Sequence, residues 1–479
     1  LDYSGNFGSY WVINFKIKVT MITVACFNNK TVGVLGLARS GISSVQALLR
    51  GNAVVFAWDD DAQKRLNLMN QVSLNAVDLS LVELQQLSAL IISPGIPTNL
   101  PQPHPLIPLI HKANVPIMTD IDLLIKAQPT TKRIGITGTN GKSTTTSLIG
   151  HILKNSNIPT EVGGNIGIPC LDLKPLDNRG IYVLELSSFQ LELMQHFTFD
   201  AAVLLNITPD HLDRHGTMQK YAGIKQKIFA AQKSTQAAII GVDDPYSQEI
   251  YTYLKKNDQQ QVIPISNQDI APRGVYVKDS FLVDDMDGKK ASVLNLQKAS
   301  RLPGLHNAQN IAAAYATCRA MGLDSKKIAA EILSYPGLAH RQEFVRQIRH
   351  IGFVNDSKAT NADAAGKALA CYKNIYWILG GRPKEGGLNG LEAFLDRVQH
   401  AFLIGEAQQS FAFFLKQHQI PHTLSGTLDV AVTSAYNIAR QSSQSCVILL
   451  SPACASFDQF RDFEDRGTHF KKTLLSLNG

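Results

Sequence analysis

The stretch RIGITGTNGKSTTTS, residues 133–147, places a glycine-rich turn between an apolar run and a helix-forming run that opens with Lys142, Ser143 and Thr144. In such a turn the backbone N–H groups and the positive end of the following helix face a polyphosphate. Gly138, Thr139, Asn140 and Gly141 are the backbone candidates here. Lys142 has the reach for β- and γ-phosphates, and Ser143 offers a hydroxyl to Mg²⁺. The usual phosphate-loop pattern has a glycine six residues before its lysine. This chain has Ile136 there, so the loop is shorter and its chemistry rests on the core from Gly138 to Lys142.

A Mg²⁺ held against phosphates takes one or two protein carboxylates. Glu185, at the end of IYVLE, is either such a ligand or a solvated strand-end acid. His211, in NITPDHLDRHG, follows a Thr-Pro helix start. Since Mg²⁺ prefers oxygen, spacing alone points this histidine to helix capping or to a substrate hydrogen bond. Lys225 and Lys227, in YAGIKQK, read as an exposed helix face. Asn307 and Asn310 are three residues apart and share one helix face.

These residues need strand ends to carry them. KTVGVLGLARSGISSVQALLRGNAVVFAWDDD reads as strand, glycine turn, helix and strand. Its Gly33, Gly36 and Gly41 do not fit GxGxxG, which leaves either a phosphate-over-helix turn or a plain tight turn. The prolines of PTNLPQPHPLIP predict a surface loop without helix, and MTDIDLLIKAQPTTK predicts a helix and connector, with a boundary near residue 120. A second α/β block runs from KRIGITG to QAAIIGVDDP, is more β-rich over 260–300, and closes on the helix RLPGLHNAQNIAAAYATCRAMG. A third contains HIGFVNDSKATN, NIYWILGGRPKEGG, HAFLIGEAQQSF and SCVILLSPACASFDQF, four strand-then-polar units that predict a third parallel sheet.

The chain of 479 residues exceeds one hydrophobic core and predicts roughly three domains. Its 44% hydrophobic and 18% charged residues describe a globular protein. The net charge of +7 is spread out, with no basic cluster interleaved with aromatics, which argues against nucleic acid. Six separated cysteines without a CxxC pair fit a reducing cytoplasm. The opening SYWVINFKIKVTMITVACF, interrupted by Lys16 and Lys18, is too short and charged to span a bilayer and has no signal-peptide cleavage pattern. Residues 1–20, before Met21, are expected to be an extension outside the fold.

GTNGKST, GGNIG, ELSSFQLE, DHLDRH, HNAQNIAAA, AHRQEFV, NDSKATN and SPACASFDQFRDFEDRG, in this order, closely resemble the Mur ligases, ATP-dependent amide-forming enzymes of peptidoglycan synthesis. The resemblance covers about residues 30–475 and is strongest to members that add D-glutamate to UDP-N-acetylmuramoyl-L-alanine. It implies an α/β chain of three domains: a Rossmann-like UDP-binding domain (30–120, after an extension over 1–29), a central P-loop-type ATPase domain with a mostly parallel sheet (121–337), and a Rossmann-like amino-acid-binding domain (338–479).

The resemblance also implies roles. Lys142, Ser143 and Thr144 would handle ATP phosphates and Mg²⁺, while Glu185 and His211 would serve metal ions. Lys225 would carry a carbamate that acts as an oxygen ligand. Asn307 and Asn310 would lie on the adenine side of ATP, with Arg341 and Asp356 reaching it from the third domain. Lys358, Thr360, Lys384, Ser456 and Phe463 would form the D-glutamate pocket and its approach, where donors suit two carboxylates. Arg382 stands where some relatives carry an acid. Gly36, Ser40, Gly41 and Asp59 would bind the uridine diphosphate, and Asn165 the muramoyl group. The implied protein is a cytoplasmic monomer with no membrane insertion. Rival expectations are a sibling ligase for another amino acid, a folate polyglutamylating enzyme, or a nucleotide-gated binder without ligase activity. A DNPR stretch, expected of a diamino-acid ligase, is absent.

Overall fold

The structure, a computed structural model, describes residues 21–477 apart from His196 and Asp269, so the expected extension over 1–20 lies outside the described residues. The chain forms two compact units. The first contains the described residues up to Arg133 together with Pro159–Thr198 and His211–Ala231; the second contains Ile134–Ile158, Phe199–Asp210 and the described residues from Gln232 onward. Both are α/β, with mostly parallel strands. Among the described residues no helix is long and apolar enough to cross a membrane.

The first unit opens with a four-stranded parallel sheet of order β2-β1-β3-β4, made of β1 (Thr31–Leu35), β2 (Val54–Trp58), β3 (Ala89–Ile92) and β4 (Ile117–Met118). The expected strand, turn, helix and strand are present, with the helix spanning Arg39–Arg50. Gly36 takes φ +91°, and its carbonyl accepts from Ser93 Oγ at 2.8 Å. A Cβ on Gly41 would lie 1.8 Å from the Gly36 carbonyl oxygen, so the helix can start this close to the turn only without a side chain. The proline-rich stretch corrects one expectation: a helix begins inside it, at Leu106–Lys112. Pro108 falls in the first turn, where its missing N–H leaves no hydrogen bond unmade. The helix Asp120–Ala127 carries a capping box from Thr119 and Asp122.

The strand β5 (Lys132–Thr137) leads to the phosphate loop, and Ile136 is one of its buried residues, which is why no glycine stands there. Two further strands of the first unit, β6 (Thr160–Gly164) and β7 (Ile181–Glu185), pair in parallel. In the second unit β5, β8 (Ala201–Leu204), β9 (Ala237–Gly241), β10 (Gln261–Ser266) and β11 (Val275–Lys278) follow one another as parallel neighbours. Two antiparallel strands, β12 (Phe281–Asp284) and β13 (Ala291–Asn295), extend them, which accounts for the β-rich 260–300 region.

The C-terminal sheet of the second unit has the order β14-β15-β19-β16-β17-β18. Its strands are β14 (Glu343–Ile348), β15 (Ile351–Asn355), β16 (Ile375–Gly380), β17 (Val398–Ile404), β18 (His422–Gly426) and β19 (Cys446–Leu450). All pairings are parallel except that of β14, which folds back antiparallel on β15 across a two-residue turn. The four expected strand-then-polar units, β15, β16, β17 and β19, are all parallel; β14, half-buried and with a weak apolar signal, adds an antiparallel edge strand. Apolar cores fill both faces, around Trp377 on one side and Phe402 and Phe470 on the other.

Gly41→Ala is expected to destabilise the protein by about 3 kcal/mol, because the clash is with backbone and not with a mobile side chain. Gly95→Ala, with nothing within 4 Å of the new methyl, should be close to neutral. Urea unfolding of the two variants beside wild type checks the contrast.

Candidate functional site

The phosphate loop of the second unit is built by backbone geometry. Gly138 has φ +150° and Gly141 φ +86°, and the helix Lys142–Asn155 begins directly after them. Asn206, at the carboxyl end of β8, accepts from Thr139 N through its carbonyl oxygen (2.9 Å) and from Asn140 N through Oδ1 (2.9 Å). Thr139 Oγ1 exchanges hydrogen bonds with the Thr208 backbone. Lys142 Nζ donates to the carbonyls of Gly138 and Thr139 at 2.8 Å. Ser143 is buried, and its Oγ accepts from Lys358 Nζ at 3.3 Å.

A cleft of about 460 Å³ opens beside the loop. Asn140, Gly141, Thr144, Asn307, Asn310 and Arg341 line it. Asp356, Lys358 and Thr360 stand on its C-terminal wall. Residues far apart in sequence thus meet around one cavity of the size a nucleotide needs. Asn307 and Asn310 bond to each other (Asn310 Nδ2 to Asn307 Oδ1, 3.0 Å), and Asn310 Oδ1 also accepts from Thr145 Oγ1 at 3.2 Å. Gln309 and Asn206 line the cleft as well, although neither stood out in the sequence. Asn206 sits in NITPD, where the only signal was its position after a strand.

Asp356 is buried and accepts from Ser451 Oγ (2.8 Å) and Gln342 N (3.1 Å). Burial outweighs these donors and the nearby Arg341, raising its pKa to about 7. Arg466, fully buried, donates to Ser357 O, Ser357 Oγ and Cys454 O at 2.9, 3.0 and 3.1 Å. Burial lowers its pKa to about 10. Its fork ties the loop of Asp356 and Lys358 to the loop of Ser456. Phe463 packs near the first of these loops: its carbonyl accepts from Ser357 Oγ at 2.8 Å, and Lys358 Nζ lies 5.6 Å from its ring. Ser456 is buried and Lys384 exposed, and neither lines this cleft. Arg382 is held by Glu406 at 3.1 Å.

The first unit holds the remaining candidates. Glu185 is only 3% exposed, so it is not a solvated strand-end acid. Asn165 Nδ2 donates to Glu185 Oε1 at 2.8 Å and Asn165 N to the Glu185 carbonyl at 2.9 Å, whereas the buried Oε2 has no hydrogen-bond partner. A carboxylate oxygen buried without a donor fits a hard cation. Among the described residues no three His, Cys, Asp or Glu side chains gather around such a point, so a cation there would draw on other oxygen donors, as Mg²⁺ commonly does. His211 takes the N-cap position of the short helix Leu212–His215 at φ +51° but makes no side-chain capping bond, which corrects the capping expectation.

Lys225 is 1% exposed, not part of an exposed helix face; Lys227 does face solvent. The Lys225 Nζ lies 4.7 Å from the Tyr221 ring centroid, and His215 stacks on that ring at 5.3 Å. His215 Nε2 meets Ser188 Oγ at 3.0 Å, and burial lowers its pKa. Phe189 bridges His215 and His211, at 5.4 and 4.9 Å. In the first sheet, Asp59 accepts from Leu37 N (2.7 Å) and Asp61 N (2.9 Å), with Lys64 at 3.4 Å. Burial pushes its pKa up, but these donors outweigh burial and hold it low. Asp59 therefore braces the turn of Gly36, and the Gly41 helix bonds to the Asn165 loop through Arg39 and the Gly167 carbonyl. Ser40, half-buried in that helix, accepts from Ser44 Oγ at its carbonyl.

A family model described as the Mur ligase middle domain matches residues 136–318. Among curated proteins, the UDP-N-acetylmuramoylalanine--D-glutamate ligase of Phenylobacterium zucineum is 43% identical over 463 residues, 95% of this chain and 98% of the relative. The protein of the same name from Rhodospirillum rubrum is 45% identical over 463 residues, 95% of this chain and 97% of its own. Among solved structures, the UDP-N-acetylmuramate-alanine ligase of Thermotoga maritima shares the fold at a TM-score of 0.59 and 16% identity, covering 93% of this chain and 99% of that one. A pseudomurein peptide ligase of Methanothermus fervidus aligns at a TM-score of 0.53 and 17% identity, covering 94% and 100%.

Asp356 gives a pH prediction. The unfolded chain releases this proton near 3.8, whereas the folded protein holds it to about 7. The folded state binds the extra proton between those values, so the contribution to stability is present below about pH 4 and is lost as pH rises through about 7. Asp356→Asn is expected to gain stability relative to wild type across that window, read as the difference in urea midpoints from pH 4 to 8.

Proposed function

The chain belongs to the Mur ligase family, among the UDP-N-acetylmuramoylalanine--D-glutamate ligases, and from that premise we propose that it uses ATP to join D-glutamate to UDP-N-acetylmuramoyl-L-alanine through an acyl phosphate. A carboxylate and an amine do not condense in water unless the carboxylate oxygen becomes a leaving group. Transfer of the γ-phosphoryl group of ATP to the L-alanine carboxylate supplies one. The D-glutamate amine then attacks the acyl carbon and phosphate departs.

The observation that carries this reading is the convergence of the glycine loop, the Asn307–Asn310 pair and Asp356, Lys358 and Thr360 on one cleft. In it the loop and Lys142 hold the triphosphate, and Lys142 offsets charge on the transferring oxygens. Lys358, bonded to Ser143 Oγ, adds a cation beside the same helix start. Asn307, Asn310, Arg341 and Asp356 serve the nucleoside side. Lys384, Ser456, Phe463 and Thr360 serve the amino acid, held by the loops that Arg466 ties together. Gly36, Ser40, Gly41 and Asp59 shape the uridine diphosphate site, and Asn165 contacts the muramoyl substrate.

Mg²⁺, when bound, neutralises phosphate charge. The Ser143 hydroxyl would hold it in the second unit. Glu185, through its unpartnered oxygen, His211 and a carbamylated Lys225 would hold it in the first. The reading assigns residues 30–120 to the nucleotide sugar, 121–337 to ATP and 338–479 to the amino acid. It describes a monomer acting in the cytoplasm, in peptidoglycan precursor synthesis.

Phosphate release should require UDP-N-acetylmuramoyl-L-alanine and D-glutamate together. Turnover with another amino acid instead would point to a sibling ligase, and none with any would leave only a nucleotide binder. Lys142→Ala is expected to lower ADP release roughly a hundredfold or more, and near-normal turnover would refute its role. Lys225→Ala should lose activity that a short carboxylic acid partly restores; unchanged activity would remove the carbamate.

A further inference from the structure

Gln309 lies between Asn307 and Asn310 in sequence but off the helix face they share, and its amide bonds to Asn206 and Asp243 instead. It is 6% exposed and lines the nucleotide cleft. Its Oε1 accepts from Asn206 Nδ2 at 2.8 Å, and its Nε2 donates to Asp243 Oδ2 at 2.9 Å. Asn206 in turn receives the Asn140 N–H on Oδ1 at 2.9 Å and the Thr139 N–H on its carbonyl at 2.9 Å. At the other end, Asp243 accepts from Ser266 Oγ at 2.5 Å and from Asn267 N at 3.1 Å. Asn267 and Gln268 line the same cleft.

These contacts form one chain with a fixed direction. The Asn140 N–H can only donate, which makes Asn206 Oδ1 the acceptor and turns its Nδ2 toward Gln309 Oε1. Gln309 must then present Nε2 as a donor, and the carboxylate of Asp243, an acceptor only, receives it. Neither amide can flip without leaving a buried group unpaired. The chain consumes the Thr139 and Asn140 N–H groups, so two loop donors are turned to protein and the loop's shape depends on the amide that orients Asn206.

We propose that Gln309 is a positioning residue for the phosphate loop, acting through Asn206, so that the grip on polyphosphate depends on an amide one hydrogen bond removed from the loop. This rests on the reading of the cleft as the ATP site. Inorganic tripolyphosphate separates the possibilities, because it carries the phosphates and no base. A residue that only touches the nucleoside leaves its binding unchanged.

The experiment is calorimetric titration of the full chain with tripolyphosphate and with ATP. Gln309→Met, similar in size but without the donor and acceptor, is expected to weaken tripolyphosphate binding roughly tenfold and ATP binding at least as much. Asn206→Ala should do the same, and the double variant should be no weaker than Asn206→Ala alone. Gln309→Glu, which keeps the acceptor and loses the donor toward Asp243, carries the test if the methionine variant does not fold, with weakening expected again. Tripolyphosphate affinity within about twofold of wild type in a folded Gln309 variant would overturn the proposal, whatever happens to ATP. A wild-type protein that binds neither ligand would instead remove the reading of the cleft, and the inference with it.

Discussion

A glycine turn pressed closely against a neighbouring helix has no room for a side chain at the point of contact. In this protein that constraint centres on Gly141, at φ +86°, where a Cβ would fall 2.1 Å from Asn310 Oδ1. The helix Leu305–Ala320 presses its amides directly against the loop, and Thr145, one turn into the next helix, bonds to the same Asn310 oxygen. Loop shape, helix position and the near wall of the cleft are therefore one packing problem. Close backbone approach is the use to which glycine is put here, and its entropic cost is offset by the contacts it admits.

Elsewhere the protein buries ionisable groups that an ordinary core would exclude. Glu185, Lys225 and His215 in the first unit, and Asp356 and Arg466 in the second, are all nearly inaccessible. Each needs partners or a shifted proton affinity to remain there. Arg466 spends its fork on carbonyls and a hydroxyl, and it joins two loops that local sequence leaves unconnected. Asp356 keeps its proton into the neutral range for the same reason that Arg466 holds its own less firmly: burial penalises charge of either sign.

Packing also explains which elements escaped sequence reasoning. A dense run of prolines argues against helix, yet Pro108 falls in the one turn that tolerates it. The half-buried β14 shows no clean alternation and was legible only as a motif. Lys225 reads as an exposed helix-face residue and is instead buried, with its Nζ near the Tyr221 ring on which His215 stacks. Asn206, and Gln309 within HNAQNIAAA, do not stand out by residue type, since an amide's use depends on what stands opposite it.

The amino-acid sequence by itself determined the local architecture: strand ends followed by glycine turns and helix starts, Lys142 and Ser143 at the head of a helix, and Asn307 and Asn310 on one face. Such features depend on neighbours within a few residues, whose spacing dictates backbone geometry. Only the tertiary structure decided that Lys225 is buried, that Asp356 holds its proton, and that Asn206 and Gln309 bond to each other beside the loop. Burial and hydrogen-bond direction are set by groups tens to hundreds of residues away, and no local spacing encodes them.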